Sequence, residues 1–275
     1  MLFIYLFTAL VGGSLSPPQV SIHIDANAYS KTAARWSEML MKTTTEHSST
    51  FIKKMHIEDS KHANLSRDYI IWIPAGDPHN KNRSEKTIGV LWFHGHHGFS
   101  SRTFRERILK QFRRQPDKNF FVVIPEMPWS VNTSTRNSRN GQIWRRSGDF
   151  TKFIKQVRRD VALAGISEID WRVVGHSAGG STIATIGSTG DLCLLNPSMI
   201  VWSDSTYGWW IQKANRSCLQ EFKTEVFING HPSTATSARR ILTTEAGRNV
   251  TVHRKELTHK QIGDNIVKLS GVLND

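Results

Sequence analysis

The sequence predicts an α/β fold whose central sheet is mostly parallel and covered by helices on both faces. Short runs rich in Val, Ile and aromatic residues alternate along the chain with amphipathic segments of helical period. Most of these runs end at Gly, Pro, Asp or Asn, as strands do when a loop follows. Alternation of this kind is typical of a parallel sheet between two helical layers, and 275 residues suffice for one such domain.

Seven strands are predicted, and in chain order they are Tyr69–Ile73, Ile88–Phe93, Phe120–Ile124, Trp171–Val174, Met199–Trp202, Glu225–Ile228 and Val250–His253. The predicted helices are Ala33–Met41, Thr103–Gln115, Asp149–Leu163, Gly180–Ile186, Thr234–Leu242 and Lys260–Leu269. Functional groups of such sheets gather in the loops that follow the strands. The polar, basic segment Asn132–Asn140 is expected to form an exposed loop over these strand ends.

The first 16 residues have the pattern of a secretory signal peptide. An uncharged apolar run from Leu2 to Val11 is followed by small residues, and it is shorter than the about 20 apolar residues of a membrane helix. We therefore expect a secreted protein with no stable membrane span. Residues 17–275 would form a single domain with an N-terminal extension to about residue 66. A buried N-terminal strand is the alternative interpretation.

Sequons and cysteines agree with secretion. Five N-x-S/T sequons occur, at Asn64, Asn82, Asn132, Asn215 and Asn249. The two cysteines, Cys193 and Cys218, are expected to form one disulfide in an oxidising compartment, and a pair of buried free thiols is the alternative.

The formal net charge of +13 favours anionic partners such as acidic glycans, anionic lipid surfaces or nucleic acid. Lys and Arg are dispersed, and no zinc-finger spacing, phosphate-binding loop or RNA-binding aromatic motif accompanies them. We interpret the charge as a surface property that suits an anionic surface, and we expect no nucleic-acid partner.

The segment RVVGHSAGG carries the strongest functional signal. A short buried strand precedes the pentapeptide Gly175–Gly179, and a helix-compatible segment follows it. A G-x-S-x-G pentapeptide in this context forms a nucleophile elbow, in which glycines allow strand and helix to approach closely. Ser177 is then predicted to be a nucleophile at a helix N-terminus, where free amides stabilise an oxyanion. A tight turn without chemistry is the alternative.

This elbow resembles that of the α/β-hydrolase superfamily of esterases, lipases and serine peptidases. The resemblance extends from Tyr69 to the C-terminus, and it implies that the acid and the histidine of a triad follow Ser177 in the chain.

Three histidines follow the serine: His231, His253 and His259. His259 lies in the loop ELTHKQ after the final predicted strand, where the superfamily places its general base, so we assign it this role. His231, in NGHPS after the preceding strand, is the second candidate.

The position of the triad acid along the chain is less regular within the superfamily. Many members of the superfamily carry it after the penultimate strand, but this position reads VFINGHPS and offers no carboxylate. The preceding strand ends in VWSDSTYG, and some members take the acid from that strand, so Asp204 is predicted to orient the base. Asp191 and Glu245 are weaker candidates, and an aspartate in a Ser-Asp-Ser turn can also serve only the turn.

The resemblance also implies a second oxyanion donor. His94-Gly95, at the end of a predicted strand, matches the H-G motif of the superfamily, so a backbone amide of Gly95, His96 or His97 is expected to pair with that of Ala178. A metal site on the three histidines of HGHHG is the alternative. With no nearby Cys or carboxylate, we expect neither a metal nor another cofactor.

These residues together predict a secreted serine hydrolase of carboxylic esters. Trp129, Trp144, Trp209 and Trp210 are expected to form an apolar or sugar-stacking wall for a small-molecule, glycan or lipid ester, although core packing is the commoner role of tryptophan. A serine peptidase would use the same triad. A catalytically inactive protein of this fold that binds acidic ligands is the third hypothesis.

Overall fold

The computed structural model describes the chain in nine segments, and for the first of them only the backbone. These segments are 48–53, 69–74, 86–96, 103–115, 118–125, 127, 144–214, 222–243 and 249–274. The predicted signal peptide, the rest of the N-terminal extension with its helix, and the predicted loop 132–140 lie outside the described residues.

Eight strands of the described segments form one sheet in the order β1-β2-β4-β3-β5-β6-β7-β8. Their bounds are Ser48–Lys53 (β1), Tyr69–Pro74 (β2), Thr87–Phe93 (β3), Phe120–Pro125 (β4), Ile169–His176 (β5), Met199–Ser203 (β6), Lys223–Ile228 (β7) and Val250–Arg254 (β8). β2 pairs antiparallel with β1 and with β4, and all other neighbours are parallel. The predicted mostly parallel sheet is confirmed.

A π-helical turn, Phe104–Ile108, leads into the first of seven α-helices in the described segments. The helices are Leu109–Phe112 (α1), Asp149–Ala162 (α2), Gly179–Ser188 (α3), Asp191–Leu195 (α4), Trp210–Ala214 (α5), Pro232–Leu242 (α6) and His259–Ser270 (α7). None of these helices is long and apolar enough to cross a membrane.

All seven predicted strands are present, and one strand and two helices appear in addition. β1 reads SSTFIK, in which two adjacent apolar residues give no alternating pattern. α4 and α5 have five residues each, too few to show a helical period. The predicted helix at Thr103–Gln115 is the π-helical turn followed by α1.

Alternate side chains of the strands enter two separate cores, one on each face of the sheet. One core includes Leu91 and Val173 and is closed by α2 to α6. The other includes Val90 and Val174 and is closed by the π-helical turn, α1 and α7. The strands are therefore apolar on both sides, as in parallel sheets generally.

The parallel strands β3 to β8 end at one edge of the sheet. The loop residues that follow β3, β5 and β6 are His94, Ser177 and Asp204, and His259 follows β8 after a short turn. The topology thus gathers the residues that the sequence singled out at the carboxyl edge.

We predict that Gly179→Ala destabilises the fold by about 1–3 kcal/mol or more. A Cβ at Gly179 would overlap the carbonyl oxygen of Phe93, which belongs to the neighbouring strand β3 and is backbone that cannot swing away. Urea unfolding measures the change. Ser188→Ala in the same helix is the control, because Ser188 is exposed, and its cost should stay within about 0.5 kcal/mol. An equal, small cost for both variants would contradict the close approach.

Candidate active site

Ser177 occupies a sharp turn between β5 and α3. Its φ is 54°, in the left-handed region that a residue with a side chain seldom adopts. Its backbone N–H donates to the carbonyl oxygen of Ser203 at 3.2 Å, which ties the turn to the end of β6. This geometry is that of a nucleophile elbow, in which the serine side chain projects from the carboxyl edge of the sheet.

The flanking glycines are required by close packing. A Cβ at Gly175 would lie 2.6 Å from Cδ1 of Ile183, inside α3. A Cβ at Gly180 would overlap the carbonyl oxygen of Ser205, in the loop after β6. Helix α3 therefore packs directly on β5, the strand that precedes it, and on the loop after β6. Only glycine permits both of these close contacts.

Asp204 is the first residue after β6, and it too has a left-handed backbone, with φ 46°. Its side chain is buried, with 1% exposed. Its backbone N–H donates to the carbonyl oxygen of Phe227 at 2.7 Å. The backbone N–H of Asn229 donates to Oδ1 of Asp204 at 3.3 Å, which leaves Oδ2 of Asp204 to face another partner.

That partner is His259. Nδ1 of His259 lies 2.7 Å from Oδ2 of Asp204, although 55 residues separate them in the chain. His259 begins α7, and a capping box between Thr258 and Gln261 fixes the helix start. With Nδ1 held by the carboxylate, Nε2 is the nitrogen that can take up a proton.

The weaker candidates for acid and base have other partners. Asp191 accepts hydrogen bonds from the backbone of Gly148 and from the side chains of Thr151 and Thr189, so it holds α2 and α4 together. Glu245 lies outside the described residues.

The other two histidines are also engaged elsewhere. His231 is exposed and caps the start of α6, where it bonds Ser233. His253 pairs with Glu225 at 2.6 Å and stacks on Phe227, whose ring centroid is 4.6 Å away. His259 is thus the histidine that meets the predicted acid.

His176 is a member of the site that sequence reasoning missed. Its ring is buried and stacks on that of His259, with centroids 4.7 Å apart. Its Nδ1 lies 3.0 Å from the carbonyl oxygen of Ser203, to which it donates. Burial first, and then the charges of Arg107 and His259, lower the pKa of His176 well below its usual value. A neutral imidazole therefore packs against the face of His259.

Tyr207 is the second missed member, in the loop between β6 and α5. Burial first, and then the negative charge of Asp204, raise the pKa of Tyr207 above its usual value, and the neighbouring Ser177 side chain partly offsets this. The ring of Tyr207 meets His259 edge-on at 6.5 Å and Trp210 edge-on at 5.5 Å. Tyr207 comes three residues after the acid in DSTYG, so the sequence places both in one loop but does not show which side chains meet there.

The H-G turn after β3 lies against the nucleophile. A Cβ at Gly95 would be 2.9 Å from Cβ of Ser177, so the glycine backbone touches the serine. Nε2 of His94 accepts from the N–H of Met127 at 3.2 Å, which leaves the proton on Nδ1 to donate to the Gly95 carbonyl at 3.0 Å. The turn of Gly95 and His96 thus flanks Ser177, as predicted for the oxyanion donors. His97 lies outside the described residues.

Ala178, the other predicted oxyanion donor, is the N-cap of α3. The N–H groups of Gly180 and Ser181 donate to the carbonyl oxygens of Ser177 and Ala178, at 3.1 and 3.0 Å, so the turn closes at the start of the helix. The role of Ala178 and of the H-G turn as oxyanion donors stays a prediction.

The tryptophans divide into three groups. The prediction that Trp144 lines the substrate site is wrong: it is 2% exposed and packs among Phe93, Phe150 and Phe153 in the core, where its large apolar area is better buried. Trp209 is 58% exposed, and the guanidinium of Arg240 lies 4.8 Å from its ring centroid. Trp210 packs on Tyr207, and Trp129 lies outside the described residues.

The predicted disulfide and glycosylation sites fall mostly outside the described residues. Cys218 is among them, so the bond to Cys193 stays a prediction. Of the sequons only Asn249 is described, and it is exposed in the turn immediately before β8.

In sequence comparisons, no family model matches the chain and no curated protein matches it significantly. Solved structures do resemble it. FphF, a fluorophosphonate-binding serine hydrolase of Staphylococcus aureus, is 10% identical with a TM-score of 0.52, over 84% of this chain and 100% of that one. A ferulic acid esterase is 10% identical with a TM-score of 0.53, over 82% and 97% of the two chains.

A third similar structure is the S-formylglutathione hydrolase FrmB of Staphylococcus aureus. It is 12% identical with a TM-score of 0.51, over 83% of this chain and 98% of that one. At such identities the likeness shows a shared fold.

We predict that His176 makes stability depend on pH. Since the folded state keeps this ring neutral, the unfolded chain binds one more proton below the usual pKa of 6.5. The free energy of unfolding should then fall as the pH drops, by up to about 1.4 kcal/mol per pH unit from this group.

His176→Gln, which keeps an amide donor toward Ser203 but does not titrate, should make the pH dependence shallower by that amount. Urea unfolding between about pH 6.5 and pH 5 measures it. The same pH dependence in the variant and the wild type would exclude a buried, neutral His176.

Proposed function

We propose that this protein, which has the α/β-hydrolase fold, is a serine hydrolase that cleaves carboxylic esters through an acyl-enzyme. The observation that carries the proposal is the 2.7 Å hydrogen bond between the buried Asp204 and His259, at the same edge of the sheet as a serine in an elbow. A carboxylate that fixes the tautomer of an imidazole next to a strained serine is the arrangement that activates a hydroxyl.

In the proposed reaction the proton of the Ser177 hydroxyl passes to Nε2 of His259 while Oγ bonds the ester carbonyl carbon. The tetrahedral intermediate then collapses, the bond to the alcohol breaks, and His259 returns the proton to the departing oxygen. Water repeats the sequence on the acyl-enzyme, which releases the acid and restores Ser177. Asp204 remains ionised throughout and stabilises the imidazolium.

The negative charge that develops on the carbonyl oxygen needs donors that are already in place. The amide of Ala178 at the start of α3 and an amide of the Gly95–His96 turn would supply them, and both lie beside Ser177. No cofactor enters this chemistry.

An ester, rather than a peptide, is the proposed substrate. Support comes from structures of the same fold that act as esterases, the ferulic acid esterase among them, which is an argument from fold alone. The exposed Trp209 beside Arg240 offers a surface for an aromatic, sugar or anionic group of the substrate. The net charge of +13 favours binding of the protein to acidic glycans or to anionic lipid surfaces.

Secretion is part of the proposal. The apolar leader and the five sequons support it. N-terminal sequencing of protein recovered from the medium of expressing cells tests it, since a chain that retains Met1 inside the cell would exclude a cleaved signal.

We predict that Ser177→Ala lowers the hydrolysis of p-nitrophenyl esters by at least about 10³-fold, because the acyl-enzyme cannot form. Ser181→Ala, four residues further along the chain and inside α3, is the matched control and should keep most of the activity. Initial rates on short and medium acyl chains, beside a panel of peptide anilides, measure both. Cleavage of the anilides alone would favour a peptidase. No hydrolysis by folded wild-type protein would favour the inactive binding protein.

We predict that Asp204→Asn lowers kcat by about 10⁴-fold, since the amide no longer fixes the tautomer of His259. Glu225→Gln is the matched control, because Glu225 also bonds a histidine at 2.6 Å but lies in the middle of β7. Its kcat should stay within about threefold of the wild type. Near-normal turnover in Asp204→Asn would remove this residue from the triad.

A further inference from the structure

His176 is linked to each of the three residues of the proposed triad. It is the last residue of β5 and directly precedes Ser177 in the chain. Its Nδ1 donates to the carbonyl oxygen of Ser203, the residue before Asp204, at 3.0 Å. Its ring stacks on that of His259, with centroids 4.7 Å apart and 28° between the ring planes. One side chain thus connects the segments that carry the nucleophile, the acid and the base.

The alternation of side chains along β5 directs this ring toward α7. Val174, two residues earlier, enters the core that α7 closes, and side chains two residues apart on a strand share a face of the sheet. His176 is 2% exposed, so its ring is enclosed on that face. The strand therefore places an imidazole between the carboxyl edge of the sheet and the helix that begins at His259.

Helix α7 has a glycine where it meets this ring. A Cβ at Gly263 would lie 2.5 Å from Cε1 of His176 and 2.8 Å from its Nδ1. Gly263 comes four residues after His259, so both lie on the same face of the helix. Glycine inside a helix is otherwise unfavourable. The missing side chain at position 263 is therefore what admits the imidazole against the turn that carries the base.

The charged groups around the ring keep it neutral. Nε of Arg107 pairs with Oδ1 of Asp264 at 3.2 Å, and Nη1 of Arg107 would be 2.8 Å from the same Cβ at Gly263. Burial first, and then the charges of Arg107 and His259, lower the pKa of His176 well below its usual value. His176 can therefore stay packed on His259 when the latter takes up a proton, because it adds no second charge.

The hydrogen bond to Asp204 does not by itself fix the plane of the His259 ring. A bond at one ring nitrogen holds Nδ1 in place, but it allows the imidazole to turn about the line that joins Nδ1 to Oδ2. Such a turn moves Nε2, the nitrogen that takes up the proton. A flat group packed on a face of the ring blocks the turn, so the stacked His176 determines where Nε2 points.

We propose that His176 is a positioning residue, whose stacked imidazole holds the ring of His259 in the plane from which Nε2 exchanges a proton with Ser177. The inference rests on the proposed function, because it concerns the base of the same triad. In this role His176 exchanges no proton and touches no substrate. It acts only through the orientation of His259.

His176→Gln tests the role of the ring. Gln keeps an amide donor for the carbonyl oxygen of Ser203 but has no ring to stack on His259. We expect kcat for a p-nitrophenyl ester to fall roughly 10- to 100-fold, since misplacing a reacting group by about 1 Å has a cost of this order. KM should stay within about threefold, because the ring does not contact the substrate. Fluorophosphonate labelling carried to completion gives the concentration of active protein, so that misfolded chains do not lower kcat.

His176→Phe is the complementary variant, with a flat ring but no donor. It should recover most of the loss and bring kcat to within about fivefold of the wild type, because a ring again covers the face of His259. If the hydrogen bond to Ser203 were the important contact, the order of the two variants would be reversed.

Gly263→Ala tests the same contact from the helix. The added methyl group meets the imidazole of His176, so kcat should fall although every polar group of the triad remains. Lys268→Ala, at an exposed position of α7, is its control. His253→Gln is the control for the loss of a stacked imidazole, since His253 lies on β8 with its ring 4.6 Å from that of Phe227. Both controls should keep kcat within about twofold of the wild type.

Wild-type kcat in His176→Gln would overturn the inference. So would a His176→Phe variant as slow as His176→Gln, or a loss that appears in KM and leaves kcat unchanged. If His176→Gln does not fold, wild-type kcat in Gly263→Ala would overturn the inference equally. A wild-type protein that neither hydrolyses esters nor reacts with the fluorophosphonate would instead overturn the proposed function itself. The two failures are therefore distinguishable.

Discussion

The backbone at the ends of β5 and β6 is the constraint on which the rest of the site depends. Ser177 and Asp204 both lie in the left-handed region, and each costs about 1–3 kcal/mol relative to a relaxed backbone. What holds them is the sheet itself. The N–H of Ser177 bonds the end of β6, and the N–H of Asp204 bonds the end of β7, so the parallel hydrogen-bond ladder continues one step beyond the strands. A relaxed backbone at Asp204 would turn its carboxylate away from His259.

The imidazole of His259 is held from three directions. Asp204 binds Nδ1 in the ring plane, His176 covers a face, and Tyr207 meets it edge-on. Burial, and after it the charge of Arg107, lowers the pKa of His176. The side chain of Arg107 is in turn paired with Asp264 at 3.2 Å. The neutral partner on the face matters, because a second imidazolium there would oppose the charge that His259 acquires when it takes a proton.

Much of this could be predicted from the sequence, because the signals were local. Apolar runs ending at Gly, Asp or Asn identified the strands, and the GHSAGG segment identified the elbow through glycines that packing requires. His259 and Asp204 followed from the expected chain order of a triad, and the structure brings them together. His176 and Tyr207 were missed since their importance comes from contacts across the sheet, which neighbouring letters do not specify.

The wrong prediction has the same origin. Trp144 was expected at the substrate site from its place in the chain. Position along the chain, however, does not determine whether a loop side chain points into the core or into the site. The aromatic side chains of Phe93, Phe150 and Phe153 take it into the core. Trp209 was expected at the substrate site on the same grounds, but its ring stays exposed, and the guanidinium of Arg240 lies over it.

The central claim is that the fold activates one serine, Ser177. Its most direct test is intact-mass and peptide-map analysis of the folded protein after reaction with a fluorophosphonate. The account predicts one adduct per chain, carried by the peptide that contains Ser177. Folded protein that forms no adduct, or an adduct on another residue, would contradict it.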